Sequence, residues 1–165
     1  MADSTMNLRV LTPSRKAPQA GDVFAFQLPD LTYRFGRVIR TDATWTLAQG
    51  ADGAVLIYIY RTQSREMAVP DRDELRRDHL LVPPMMTNRL PWSRGYFQTV
   101  GNVPLDEHDL LPRHCFLSAA RGRYFDDYGQ PLAGPIEPVG DYGLHSFRTI
   151  DAAVSDALLI PRTPN

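Results

Sequence analysis

Cysteine occurs once, at Cys115, in a chain of 165 residues. A disulfide within the chain is therefore excluded, and so is a four-cysteine zinc site. A reducing compartment is the simplest fit. Lysine is equally scarce: Lys16 is the single lysine among 18 basic residues. A GC-rich genome is a sufficient source of that bias, but its physical consequence stands, because the guanidinium fork suits carboxylate partners better than an ammonium does. An excess of one charge is also missing, with 18 basic against 19 acidic residues and a net charge of −1. Proteins that grip nucleic acid through its phosphates usually carry a basic excess, so the balance argues against that partner. No apolar run approaches the ~20 residues of a membrane helix. Residues 1–21, MADSTMNLRVLTPSRKAPQAG, hold no apolar core of signal-peptide length. These absences predict a soluble cytoplasmic protein with no membrane partner.

Missing motifs narrow the reading further. The GxGxxG, Walker, HExxH and GxSxG spacings do not occur. No common catalytic or cofactor-binding pattern is present, so the expectation is a protein that is not an enzyme and needs no cofactor. No period of 20–50 residues repeats, which excludes a solenoid or propeller.

What is present is turn chemistry and alternation. Fourteen prolines and 11 glycines favour short elements over long helices. Residues 22–28 (DVFAFQL) set Phe24, Phe26 and Leu28 against Val23, Ala25 and Gln27, the period of a strand. Pro29 to Thr32 forms a connector of hairpin length, and residues 33–40 (YRFGRVIR) form the return strand. Gly36 inside that strand predicts a bulge or a close backbone approach. Trp45 and Leu47 fit a short strand before the Asp52-Gly53 turn. Residues 54–61 (AVLIYIYR) are apolar on both faces and belong where a sheet is covered on both sides. Residues 71–78 (DRDELRRD) predict a short exposed helix, and Pro83-Pro84 stops any helix or central strand. Further strands are expected within 92–103, 113–118 and 122–128. Residues 149–160 carry Ile150, Ala153, Val154, Ala157 and Leu158 on one helical face, with Thr149 as N-cap and Pro161 as terminator.

Few residues suggest chemistry. His114 and Cys115 are neighbours on a strand, so they point to opposite faces and do not form a nucleophile–base pair with each other. DEHDLLPRH (106–114) gathers Asp106, Glu107, His108, Asp109 and His114, types that ligate metals, but between prolines such a run reads as a solvated loop. Asp126 and Asp127 read first as turn residues beside Gly129. The many aromatics are core and interface material unless cations flank them as stacking platforms. An enzyme would require His108 or His114 to converge with a carboxylate across the fold.

The ordered segments then resemble a known family. GDVFAFQLPDLTYRFGRVIR, followed by LLVPPMMTNRLPWSRGYFQTVGN, RYFDDYGQPL and GLHSFRTIDAAVSDAL, is similar to the immunity protein 26 family of bacterial polymorphic toxin systems over about residues 21–160. The resemblance implies a predominantly β fold and a protein that binds and neutralises a cognate toxin domain. It carries over no catalytic residue and sets no oligomeric state. The expected organisation is a flexible arm over 1–20, one β-rich immunity-type domain over 21–161 and a tail over 162–165. The expected architecture is a strongly curled or barrel-like antiparallel sheet with a C-terminal amphipathic helix. Partner contacts are expected at Arg121, Arg123, Tyr124, Asp126, Asp127 and Tyr128, where a strand ends in a charged aromatic turn. Trp92, Arg94 and Tyr96 form a second group. The alternative is a small β-barrel module that binds nucleic acid or a ligand.

Overall fold

The computed structural model describes residues 6–163. Alternation in the first third of the chain builds a meander: β1 (Asp22–Gln27), β2 (Tyr33–Ala43) and β3 (Ala54–Ser64), each antiparallel to the last. β4 (Met85–Thr87) adds to β3, and β5 (Gln98–Asn102) adds to β1. The sheet order is β4-β3-β2-β1-β5. Pro83-Pro84 stands immediately before β4, an edge strand, where a missing ladder donor is tolerated.

Gly36 is a point of close approach. A Cβ there would sit 2.2 Å from Cζ of Phe24 and 2.7 Å from the carbonyl oxygen of Tyr58. Its absence lets the Phe24 ring lie flat on the sheet, and the β2–β3 register shifts beside it, between Arg34 and Gly36.

Both faces of this sheet are covered. On one face Phe24, Phe26, Val38, Ile57 and Ile59 meet Trp92, Phe97, Ile150 and Val154. Trp92 belongs to a single helical turn, α1 (Leu90–Ser93), and Ile150 and Val154 to α2 (Phe147–Ala157). On the other face Val23, Phe35, Ile39, Leu56, Tyr58 and Tyr60 meet Leu75 and Phe116, with Leu105, Leu110, Leu111 and Tyr142 half-buried against them. Phe116 comes from a second sheet of order β8-β7-β6-β9. Its strands are β6 (Cys115–Ser118), β7 (Arg123–Phe125), β8 (Pro131–Leu132) and β9 (Val139–Asp141), with β9 parallel to β6.

The chain is mainly β, but the expected barrel is not formed. Among the described residues no closed barrel or strongly curled sheet exists. β3 is apolar on both faces because separate layers cover its two sides, so the five-stranded sheet stays open between them. Smaller expectations also shift. Residues 71–78 make two 3-10 turns, Arg72–Glu74 and Arg77–His79. Trp45 and Leu47 lie beyond the end of β2, outside any strand. α2 begins two residues before Thr149: Ser146 is the cap, and its Oγ accepts the Thr149 N–H at 3.2 Å. The helix ends at Ala157, and Leu159 turns the chain with φ 57° ahead of Pro161.

The segment expected as a flexible arm is held on α2 at Asn7 and Leu8 and then bonds through Arg9, Leu11 and Ser14 to Gln27, Gly95 and Trp92. Met6 and Leu8 are buried in the core. Asp151 Oδ1 accepts the backbone N–H groups of Asn7 at 2.9 Å and Leu8 at 2.8 Å. The Asn7 amide donates to Ser155 Oγ at 2.8 Å and to the Pro161 carbonyl at 3.0 Å. Asp151 and Ser155 lie on the buried side of α2 to hold this segment. Residues 1–5 of the expected arm, and 164–165 of the expected tail, lie outside the described residues.

Candidate functional site

The acidic run 106–114 is shaped by arginines. Arg37, fully buried in the middle of β2, pairs with Asp109 at 3.1 Å. Its guanidinium also donates to the carbonyls of Leu75, Val103 and Pro104. Arg72 reaches the same Asp109 at 3.1 Å and Asp106 at 2.7 Å. Asp106 Oδ1 accepts the N–H of His108 at 2.9 Å, closing a turn. Two of the three carboxylates that suggested ligands, Asp106 and Asp109, are therefore occupied by guanidinium groups, and Glu107 is exposed. Among the described residues no three His, Cys, Asp or Glu side chains gather as a metal set. His108 stays exposed, 3.8 Å from Glu107.

His114 behaves differently. Its Nε2 lies 2.6 Å from the Tyr58 hydroxyl, and its Nδ1 lies 3.3 Å from Asp127 Oδ1. The Tyr58 oxygen also accepts the Leu111 N–H at 3.0 Å. One arrangement pairs every proton: Tyr58 donates to Nε2, and a neutral ring turns its Nδ1 proton to Asp127. Asp127 Oδ2 accepts from Arg40 at 3.0 Å, and Arg40 also pairs with Asp42 at 2.9 Å. The Arg40 guanidinium lies 4.1 Å from the centre of the Tyr128 ring, a cation–π stack. A continuous line thus runs Tyr58–His114–Asp127–Arg40–Tyr128, from β3 in the core to the surface.

Electrostatics follow that line. Burial pushes the Tyr58 hydroxyl well above its ordinary pKa. Burial alone would also raise Asp127, but the hydrogen bonds it accepts from His114 and Arg40 pull it below the usual carboxylate value. The convergence of histidine and carboxylate that an enzyme would need does occur. Yet the third member, Tyr58, is fully buried and held protonated. The set ties three segments together.

Beside this line an open cleft of about 690 Å³ separates residues 110–114 from the 126–130 turn, with Ile39 and Arg40 between. The turn is built by Asp126, whose Oδ1 accepts the N–H groups of Tyr128 and Gln130, both at 2.9 Å. Tyr128 at its tip is 63% exposed.

The residues expected to touch a partner separate in the structure. Arg121, Arg123 and Tyr128 are exposed, and Tyr124 is half-buried. Asp126 and Asp127 are buried, one shaping the turn and the other holding Arg40 and His114. Of the second group only Arg94 is exposed. Trp92 packs edge-on against Phe24 and Phe97, and Tyr96 stacks on Phe147 at 4.9 Å, so both serve the core. Sequence reasoning missed Arg37, Arg40 and Tyr58. The one available signal was an arginine between Gly36 and Val38 in an otherwise apolar strand, a charge that burial obliges to find a partner.

Comparison with known proteins adds one finding. The model of the family described as Immunity protein 26 matches residues 19–126. The match takes in the five-stranded sheet, the 106–114 segment and the start of the turn, and it ends before α2. No curated protein and no solved structure gives a match.

Proposed function

The chain belongs to the immunity protein 26 family, and from that premise we propose that it binds a cognate bacterial toxin domain and neutralises it by stoichiometric contact in the cytoplasm of the producing cell. The observation that carries this reading is the family match over 19–126, which covers the five-stranded sheet and one wall of the cleft, residues 110–114. The structure supports it in two ways. First, the side chains with chemical potential are spent on holding loops in place: Asp109 on Arg37 and Arg72, His114 on Tyr58 and Asp127. Second, the β6–β7 hairpin and the following turn expose Arg121, Arg123 and Tyr128 on a rigid frame, and Arg and Tyr are the types that dominate interface energetics. No helix among the described residues is long and apolar enough to cross a membrane.

Inhibition of this kind requires only that the bound surface cover the toxin's active site or a surface the toxin needs. Co-expression is the direct test. A toxin domain encoded by the gene immediately upstream should arrest growth alone, growth should return when this chain is co-produced, and the two should co-purify at one to one. Growth arrest that persists despite ample folded chain, with no complex recovered, refutes the proposal.

A further inference from the structure

The line from Tyr58 to Tyr128 ends on an exposed aromatic ring. Tyr128 is 63% exposed, yet its ring packs on a neighbouring side chain. It lies on the Arg40 guanidinium at 4.1 Å. Arg40 is clamped between Asp42 at 2.9 Å and Asp127 at 3.0 Å, and Asp127 is backed by His114 and Tyr58. An exposed aromatic ring held in one pose loses little entropy on binding, which is the condition for an interface anchor.

Among the described residues, the charged side chains near the anchor that lack a partner are cationic. The two carboxylates lining the cleft, Asp126 and Asp127, are already engaged within the chain. Arg113, also lining the cleft, has no ion pair or side-chain hydrogen bond among the described residues, and neither do Arg121 and Arg123. β7 has three residues, so Arg123 is within about 10 Å of Asp126 along the strand. The cleft and the hairpin that leads to Tyr128 therefore carry three guanidinium groups without a carboxylate partner among the described residues.

We propose that the cleft between residues 110–114 and the 126–130 turn receives an acidic protruding element of the partner protein. Tyr128 is its aromatic anchor, and Arg113, Arg121 and Arg123 meet its carboxylates. Arg40, Asp127 and His114 are positioning residues that hold Tyr128 in its binding pose. This deepens the immunity reading and rests on it.

The test uses the full chain and the toxin domain encoded beside it, with affinity and rates measured across a salt series. Tyr128→Ala is expected to weaken binding about 30-fold with an unchanged melting temperature. Arg113→Glu together with Arg123→Glu should slow association at low salt and flatten its salt dependence. Arg40→Met separates positioning from mere folding: it should weaken binding in the native background and add little in the Tyr128→Ala background. If the native chain fails to bind the toxin domain, the immunity reading falls and takes this inference with it. If the native chain binds and the folded Tyr128 and charge-reversal variants bind equally well, this inference alone is overturned. Binding of a single-stranded oligonucleotide, lost in Tyr128→Ala, overturns it in favour of nucleic acid.

Discussion

Arg37 is a charge in the interior of a strand, 0% exposed, and its placement shows what one residue can organise. A buried ion pair adds little to stability compared with an apolar substitute, but removing one partner leaves the other uncompensated. Here the pair fixes where the chain passes after β5, because Arg37 binds the carbonyls of Val103 and Pro104 as well as Asp109. Asp109→Ala should cost about 3 kcal/mol, the scale of a broken buried pair. The double variant Arg37→Leu, Asp109→Leu should recover much of that loss. Urea denaturation of both checks it, and a double variant less stable than the single one would contradict the account. Gly36 works by the opposite means. It supplies no atom, and the space it leaves is filled by the Phe24 ring.

At the scale of elements, α2 is held by more than its apolar stripe. Ile150 and Val154 reach the sheet core, while Asp151 and Ser155, also buried, accept hydrogen bonds from the segment after Met6. A buried carboxylate that accepts two backbone N–H groups replaces the ladder partners that this irregular segment lacks. Asp151→Ala should therefore release residues 6–9 and destabilise the chain by about 2–3 kcal/mol. Hydrogen exchange should show the Asn7 and Leu8 amides losing protection first, ahead of the strands. Protection at those amides equal to the native chain would refute this role. The strands themselves were readable: Phe24 and Phe26 against Val23 and Ala25, and the doubly apolar run of β3, are local periodicities. β9 was not readable. It has three residues, and it is a strand only because β6 lies parallel beside it.

At the scale of the whole molecule, one polar line joins the layers. Tyr58 belongs to the five-stranded sheet, His114 stands directly before β6, and Asp127 follows β7. Acid acts on this joint with a definite sign. The Asp127 carboxyl is held below its ordinary value of 3.8 in the folded chain. Its contribution is therefore present above about pH 4 and is lost as pH falls through the lowered folded value. Asp127→Asn should lower the melting temperature near neutrality and flatten its decline between pH 5 and about pH 3 relative to the native chain. Parallel melting curves for the two proteins over that range would contradict it. The same joint ties the two cleft walls together, since His114 stands on one and Asp127 on the other.

Periodicity within short stretches determined the β-rich class, the β1–β2 hairpin, the close approach at Gly36 and the closing helix, because each depends on neighbours a few residues away. Composition determined the balanced charge and the absence of a disulfide within the chain. Only the folded chain decided that the main sheet stays open between two layers, that Arg37 meets Asp109, and that His114 stands between Tyr58 and Asp127. Those partners are separated by 72, 56 and 13 positions respectively. No local pattern records which distant group a buried charge will find, since that choice is made by the packing that brings the two together.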